Sequence, residues 1–179
     1  MKIFVETNRL ILREIIATDI DAMYELDSDP EVHKYLGNKP VKTKEESKKA
    51  IDFIRQQYIE RGIGRWAVIN KETQEFMGWS GLKLNTEESM NSYINYYDVG
   101  YRLMKPFWGK GYATESGKAA IQYAFETMKL KTVYGITEMG NQASHDALLK
   151  IGLHYMEDFY CKKEDLNLRW YEITNISRM

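Results

Sequence analysis

Pro106-Phe107-Trp108-Gly109-Lys110-Gly111-Tyr112-Ala113-Thr114-Glu115 joins a strand-forming run to a run with helical spacing. Upstream, Tyr93 to Leu103 is rich in aromatic and β-branched residues. Downstream, Ala113 to Met128 carries Ala119, Ala120, Tyr123, Ala124 and Phe125, a face small enough to pack closely on a sheet. The two glycines allow a tight turn, so several backbone N–H groups point outward where the helix begins. The helix macrodipole adds partial positive charge there and Lys110 a full one, which makes the turn a candidate phosphate site; a plain glycine turn is the alternative. A third glycine is missing, so this is not a dinucleotide fingerprint, and tyrosine after Gly111 excludes a nucleoside-triphosphate loop.

Working outward, Met1 to Arg13 is strand-like, and Leu10 and Leu12 share the buried face of a strand expected to end near Ala17. Thr18 with Asp21, Asp29 with Pro30, and Thr43 with Glu46 each read as a helix start, and Gly62 as a stop. The second of these helices is expected to run through Tyr35, and Ala50, Ile51, Ile54 and Tyr58 form the apolar stripe of the third. The period then changes to two over Arg65 to Asn70, Phe76 to Leu84 and Tyr93 to Leu103, an antiparallel meander. After the Ala113 helix come a strand at Thr132 to Thr137 and a helix at Ser144 to Ile151 ended by Gly152. Strands near Leu153 to Cys161 and Asn167 to Thr174 finish the chain. The order predicts an α/β fold on a mixed sheet, and with no linker or repeat, residues 1–179 read as one domain.

Composition narrows the function. The 179 residues are 44% apolar, enough for one core, and the formal net charge is −1 with both signs spread along the chain. Nucleic-acid binding needs clustered cations, so no nucleic-acid partner is expected. No uncharged apolar run of about 18 residues exists to span a membrane, and charges at Lys2, Glu6, Arg9 and Arg13 interrupt any leader, so the expected compartment is the cytoplasm. Cys161 is the only cysteine, and His33, His145 and His154 lie far apart, so no metal site is expected.

Pro106 to Glu115 resembles motif A of the GCN5-related N-acetyltransferases (GNAT). Thr7-Asn8-Arg9-Leu10-Ile11-Leu12-Arg13 and Asp29-Pro30-Glu31-Val32 resemble the RimJ/RimL-like branch, which acetylates ribosomal proteins. The likeness continues through Asp98-Val99-Gly100-Tyr101-Arg102-Leu103, Asn141-Gln142-Ala143-Ser144 and Lys150-Ile151-Gly152-Leu153. It implies a single GNAT-like domain, a mixed central sheet with helices on both faces, and direct acetyl transfer from acetyl-coenzyme A to an amine. That amine is a protein N-terminus by resemblance. A small-molecule or antibiotic acetyltransferase, a coenzyme A binding regulator without activity and a nucleotide-binding module are the alternatives, and the chain is a monomer or homodimer in each.

The resemblance also assigns residues. Trp108, Gly109, Lys110, Gly111, Tyr112, Ala113 and Thr114 would cradle the pyrophosphate, Tyr101 and Leu103 would offer a strand edge to the pantetheine arm, and Asn141 would lie beside that arm or the acetyl group. Asp98 matches an acidic position and is the expected base, with Glu138 its competitor. Many family members carry a tyrosine four residues before Gly152 to protonate the leaving thiolate; here that residue is Leu148, so Ser144 is the expected donor, with helix capping by Asn141 or Ser144 the plain reading. Pro106 stands where the family pattern has glutamine or arginine. His33, Tyr35, Trp66 and Trp79 are the expected acceptor-pocket residues, against a core role for each.

Overall fold

The computed structural model describes residues 1–176. Aromatic and β-branched runs build β1 (Ile3–Glu6), β2 (Leu10–Glu14), β3 (Trp66–Asn70), β4 (Phe76–Asn85), β5 (Tyr96–Leu103), β6 (Thr132–Glu138), β7 (His154–Cys161) and β8 (Leu166–Thr174). Helical spacing builds α1 (Ile20–Ser28), α2 (Pro30–His33), α3 (Lys44–Arg61), α4 (Tyr112–Glu126) and α5 (Gln142–Ile151). The strands form one sheet in the order β1-β2-β3-β4-β5-β6-β8-β7. Every neighbouring pair is antiparallel except β5 with β6.

Local chemistry explains where these elements start and stop. Arg13 grips Asp19 through two bonds of 2.8 Å, and Asp19 accepts the Ile16 N–H at 2.9 Å. The strand therefore stops at Glu14 rather than Ala17, and Asp19 supplies the capping expected of Thr18. Asp29 Oδ1 accepts the Glu31 N–H at 2.8 Å, which starts α2 at Pro30 as its sequence requires. β5 begins at Tyr96, later than expected, because Asn91, Ser92 and Asn95 adopt φ of 48°, 67° and 55° and turn the chain away from extension.

Two apolar layers cover the sheet. Ala119, Ala120, Ile121 and Ala124 of α4, with Leu148 and Ile151 of α5, pack on Leu10, Leu12, Val68, Leu82, Val99 and Leu103. On the opposite face Met23, Leu26 and Ile51, from α1 and α3, pack on Ala67 and Ile69. Trp66 belongs to the first layer, fully buried with its ring stacked 4.9 Å from Phe4, so it is core and not a pocket residue. Among the described residues no helix is long and apolar enough to cross a membrane.

The functional consequence lies between β5 and β6. They pair only at Asp98 and Tyr134, whereas β6 pairs with β8 along its whole length. Beyond that point residues 100–103 and 136–138 part, leaving two backbone edges facing a wedge without a strand partner. Met104 donates to Met77 at 2.9 Å on the β4 side, and strand alternation turns the Tyr101 and Leu103 amides toward the wedge.

Candidate active site

The glycine turn stands at the mouth of the wedge. Gly109 and Gly111 take φ of 70° and 81°, the left-handed region that glycine enters without a side-chain clash. Glu115 N–H bonds to Gly111 O at 2.9 Å, and the N–H groups of residues 109–114 donate to no acceptor among the described residues. Lys110 is exposed beside them. Arg9 fastens this turn to the N-terminal strands: Nη1 donates to Lys110 O at 3.0 Å, Nε to Glu115 at 2.6 Å, and the guanidinium lies 4.3 Å over the Tyr112 ring. Thr7 Oγ1 donates to the same carboxylate at 2.6 Å. Burial pushes the Glu115 carboxyl up, but the bonds from Thr7 and Arg9 outweigh it and hold the group below its ordinary range. Trp108 Nε1 donates to Leu103 O at 2.6 Å, so that carbonyl is engaged within the chain and Tyr101 is the freer edge residue.

On the face covered by α4 and α5, the wedge is lined by neutral hydroxyl groups. Asn141 Oδ1 accepts the Ser144 N–H at 3.1 Å, which makes Asn141 the cap of α5 and leaves Ser144 inside the first turn rather than at the start. The Tyr101 hydroxyl donates to Ser144 O at 3.0 Å and stands 3.1 Å from Ser144 Oγ, where either oxygen can donate. Burial pushes this phenol up, against the opposing bond to Ser144. A second chain runs from His145 Nδ1 to the Tyr171 hydroxyl at 2.7 Å and from there to Thr137 Oγ1 at 3.3 Å. Leu148 is buried against Gly135, so it fills core at the position where the resemblance implies a tyrosine.

The other face of the same strands is charged. Asp98 is buried, with Oδ2 accepting from Arg65 at 2.6 Å and Oδ1 from Asn85 at 2.8 Å. A Cβ on Gly100 would stand 2.8 Å from Arg65 Nη2, so glycine leaves the guanidinium its path across the sheet. Both Asp98 oxygens are thus occupied, and its carboxylate anchors Arg65 rather than facing an open cleft. Arg102 Nη1 donates to the buried Asp27 at 2.5 Å, and Trp79 lies between the two arginines, 5.4 Å from Arg65 and 5.0 Å from Arg102. His33 is 6% exposed, with Nε2 3.8 Å from Asp27, so it backs this cluster instead of lining an open pocket. Burial, then Arg102, push its imidazole below the ordinary value, with Asp27 opposing. Tyr35 rests against Gly140, in the turn from β6 to α5. Glu138 ends β6 with Oε2 buried and without a hydrogen-bond partner.

The structure therefore brings Tyr101, Ser144, Asn141 and the glycine turn to one wedge, with Trp79 and Tyr35 near its other face. It sets Trp66 apart, and it ties up Asp98. Arg65, Arg102 and Asp27 were not among the residues expected to build the site. The legible signal was Arg102 alternating with Asp98 and Gly100 in one strand, since alternate residues share a face.

The model of the acetyltransferase (GNAT) domain family matches residues 9–154. An uncharacterized N-acetyltransferase, p20, from Bacillus licheniformis is 31% identical over 138 residues, covering 77% of this chain and 75% of that protein. A GNAT-family acetyltransferase from Bacillus anthracis superposes with a TM-score of 0.78 at 24% identity, covering 95% of this chain and 97% of that one. A RimL ribosomal L7/L12 α-N-protein acetyltransferase in complex with coenzyme A reaches 0.76 at 18% identity, covering 97% and 98%.

Proposed function

We propose that this chain, which belongs to the acetyltransferase (GNAT) family and is an acetyl-coenzyme A-dependent N-acetyltransferase, acetylates an α-amino group. The observation that carries the reading is the single Asp98–Tyr134 pairing of β5 with β6, which frees two strand edges beside a turn of unbonded amides. Residues 109–114 suit the pyrophosphate of coenzyme A, and the free edge at Tyr101 suits its amide-bearing arm. The bound thioester supplies an activated acetyl group.

Glu138 receives the amine's proton as the N–C bond forms, because its Oε2 has no partner to displace. Ser144 donates its hydroxyl proton to the sulfur as the C–S bond breaks and is reprotonated from solvent before the next turnover, with Tyr101 fixing the hydroxyl's direction. An α-amine has a pKa of about 7.7–8.0 against about 10.4 for lysine, so more of it is already neutral at pH 7 and one carboxylate suffices as base. A protein N-terminus, which the RimJ/RimL resemblance implies, and a free small molecule are the two sources of such a group. A cytoplasmic site of action is part of the same reading.

Incubating the protein with labelled acetyl-coenzyme A, a proteome and its metabolite fraction tests this by mass spectrometry. Label on α-amines supports the reading. Label confined to lysine side chains or polyamines overturns it, and cofactor binding without transfer to any amine points to a regulator.

A further inference from the structure

We infer that the acceptor carries a carboxylate a few bonds from its amine, in the manner of an α-amino acid; this rests on the acetyl-transfer reading above and narrows its substrate. Arg102 lies four residues beyond Asp98 in β5, and Glu138 four beyond Tyr134 in β6. Asp98 and Tyr134 are partners, so alternation puts Arg102 and Glu138 on the same face of the sheet, one on each of the two strands that border the wedge. They form no ion pair with each other among the described residues. Each is only partly satisfied: Glu138 Oε2 and Arg102 Nε are both buried without a hydrogen-bond partner, and Arg102 uses Nη1 alone, on Asp27.

Buried polar atoms left unpaired are costly, and two of opposite sign on the strands that border the wedge match a ligand of the complementary pattern. An ammonium group pairs with the Glu138 carboxylate and loses one proton to solvent before attack, which leaves Glu138 to take the second as the N–C bond forms. A carboxylate meets the guanidinium, whose planar fork suits that shape. Asp27 and the Trp79 face hold Arg102 in place, which stops it from swinging across to neutralise Glu138. A polyamine would set a second cation against Arg102, and a simple amine would leave the guanidinium as unsatisfied as before. A free amino acid and a peptide beginning with aspartate or glutamate both offer the required pair of groups.

The test compares kcat/KM for free amino acids with that for their carboxamides and decarboxylated amines, and for peptides beginning with Asp or Glu with that for peptides beginning with Asn or Gln. The wild-type enzyme is expected to prefer the carboxylate member by tenfold or more, mainly through KM, in whichever arm is the source. Arg102→Lys keeps a cation for Asp27 but loses the fork, so the preference falls toward one while acetyl-coenzyme A affinity stays. Equal or better use of the carboxamide, the bare amine or a polyamine overturns the inference, as does an unchanged preference in Arg102→Lys. Should that variant fail to fold, the wild-type ratios decide alone. No transfer to any amine, with the cofactor bound, or transfer confined to lysine side chains or polyamines defeats the proposed function and this inference together, whereas transfer to α-amines that lack a nearby carboxylate defeats only this one.

Discussion

The two faces of β5 and β6 handle polarity in opposite ways. Toward α4 and α5 the polar groups are hydroxyls, Tyr101 with Ser144 and Tyr171 with Thr137, set among apolar side chains. Toward α1 and α2 they are ions, Arg65 with Asp98 and Arg102 with Asp27. A neutral donor suits a departing thiolate, because it need not carry a charge into the core before the sulfur develops one. A field of compensated ions suits an amine that arrives charged and must lose a proton. On the proposed mechanism the wedge separates two proton transfers by the chemistry of its faces, and substitutions on either side should fail differently.

The largest difference is expected between the two carboxylates of the charged face. Glu138→Gln should lower kcat by about 10²-fold or more and leave the melting temperature nearly unchanged, since the oxygen it alters has no partner to lose. Asp98→Asn should do the reverse, costing about 3 kcal/mol of stability because Arg65 is left buried without its counter-ion, with the rate per folded molecule largely kept. Thermal melts and kcat on both proteins check the pair. If Asp98→Asn lost rate without stability, the base would have to be reassigned to Asp98.

Next in size is the neutral face. Ser144→Ala should reduce kcat by about 10²-fold at unchanged acetyl-coenzyme A affinity, and Tyr101→Phe by less. In the Ser144→Ala background Tyr101→Phe should add almost nothing, because it acts by aiming a hydroxyl that is then gone. Independent, multiplying losses from the two changes would break the link drawn between them. Ser144→Ala is not expected to cost a helix cap, since Asn141 supplies it.

Much of this was legible in the residues. The period-two runs placed the meander, the paired glycines placed the turn before α4, and Asp29-Pro30 placed α2. The cap near Thr18 is not legible, because Arg13, six residues earlier, holds Asp19 in the capping position, an ion pair that local spacing does not reveal. The core place of Trp66 is not legible, because an aromatic residue in a strand reads alike on either face until a partner, here Phe4, claims it. Asp98 reads as an open carboxylate for the same reason: its partner Arg65 lies 33 residues away, and only the folded sheet joins them. The wedge is the least legible feature, since no sequence pattern marks where two parallel strands stop pairing.

A smaller effect is expected at the mouth of the wedge, where both faces meet the glycine turn. Gly111→Val would force a β-branched residue to φ of 81°, so the turn should shift and acetyl-coenzyme A binding weaken by tenfold or more. Lys110→Ala should weaken it only a few-fold, an exposed charge being well screened. Calorimetric titration of both variants separates amide geometry from net charge, and an equal loss would give the charge the larger role.

The smallest effect tests how far the charged face depends on keeping its own protons in order. His33 sits against Asp27 with Arg102 and Asp29 also acting on it, and burial followed by Arg102 holds its imidazole below the usual value near 6.5. The unfolded chain therefore binds that proton more readily than the folded one. As pH falls below about 6.5, stability should drop until His33 itself protonates in the fold, and the slope from one group cannot exceed about 1.4 kcal/mol per pH unit. His33→Leu removes this contribution, so the difference in melting temperature between the two proteins should be flat above pH 7 and shift in favour of the variant as the solution is acidified. Arg102 keeps its pair with Asp27 in both, so acceptor KM should follow the same pH course in each. A melting difference that stays constant from pH 7 down to 5 would mean that His33 carries no such burden, and that the ions of this face are balanced by Arg102 and Asp27 alone.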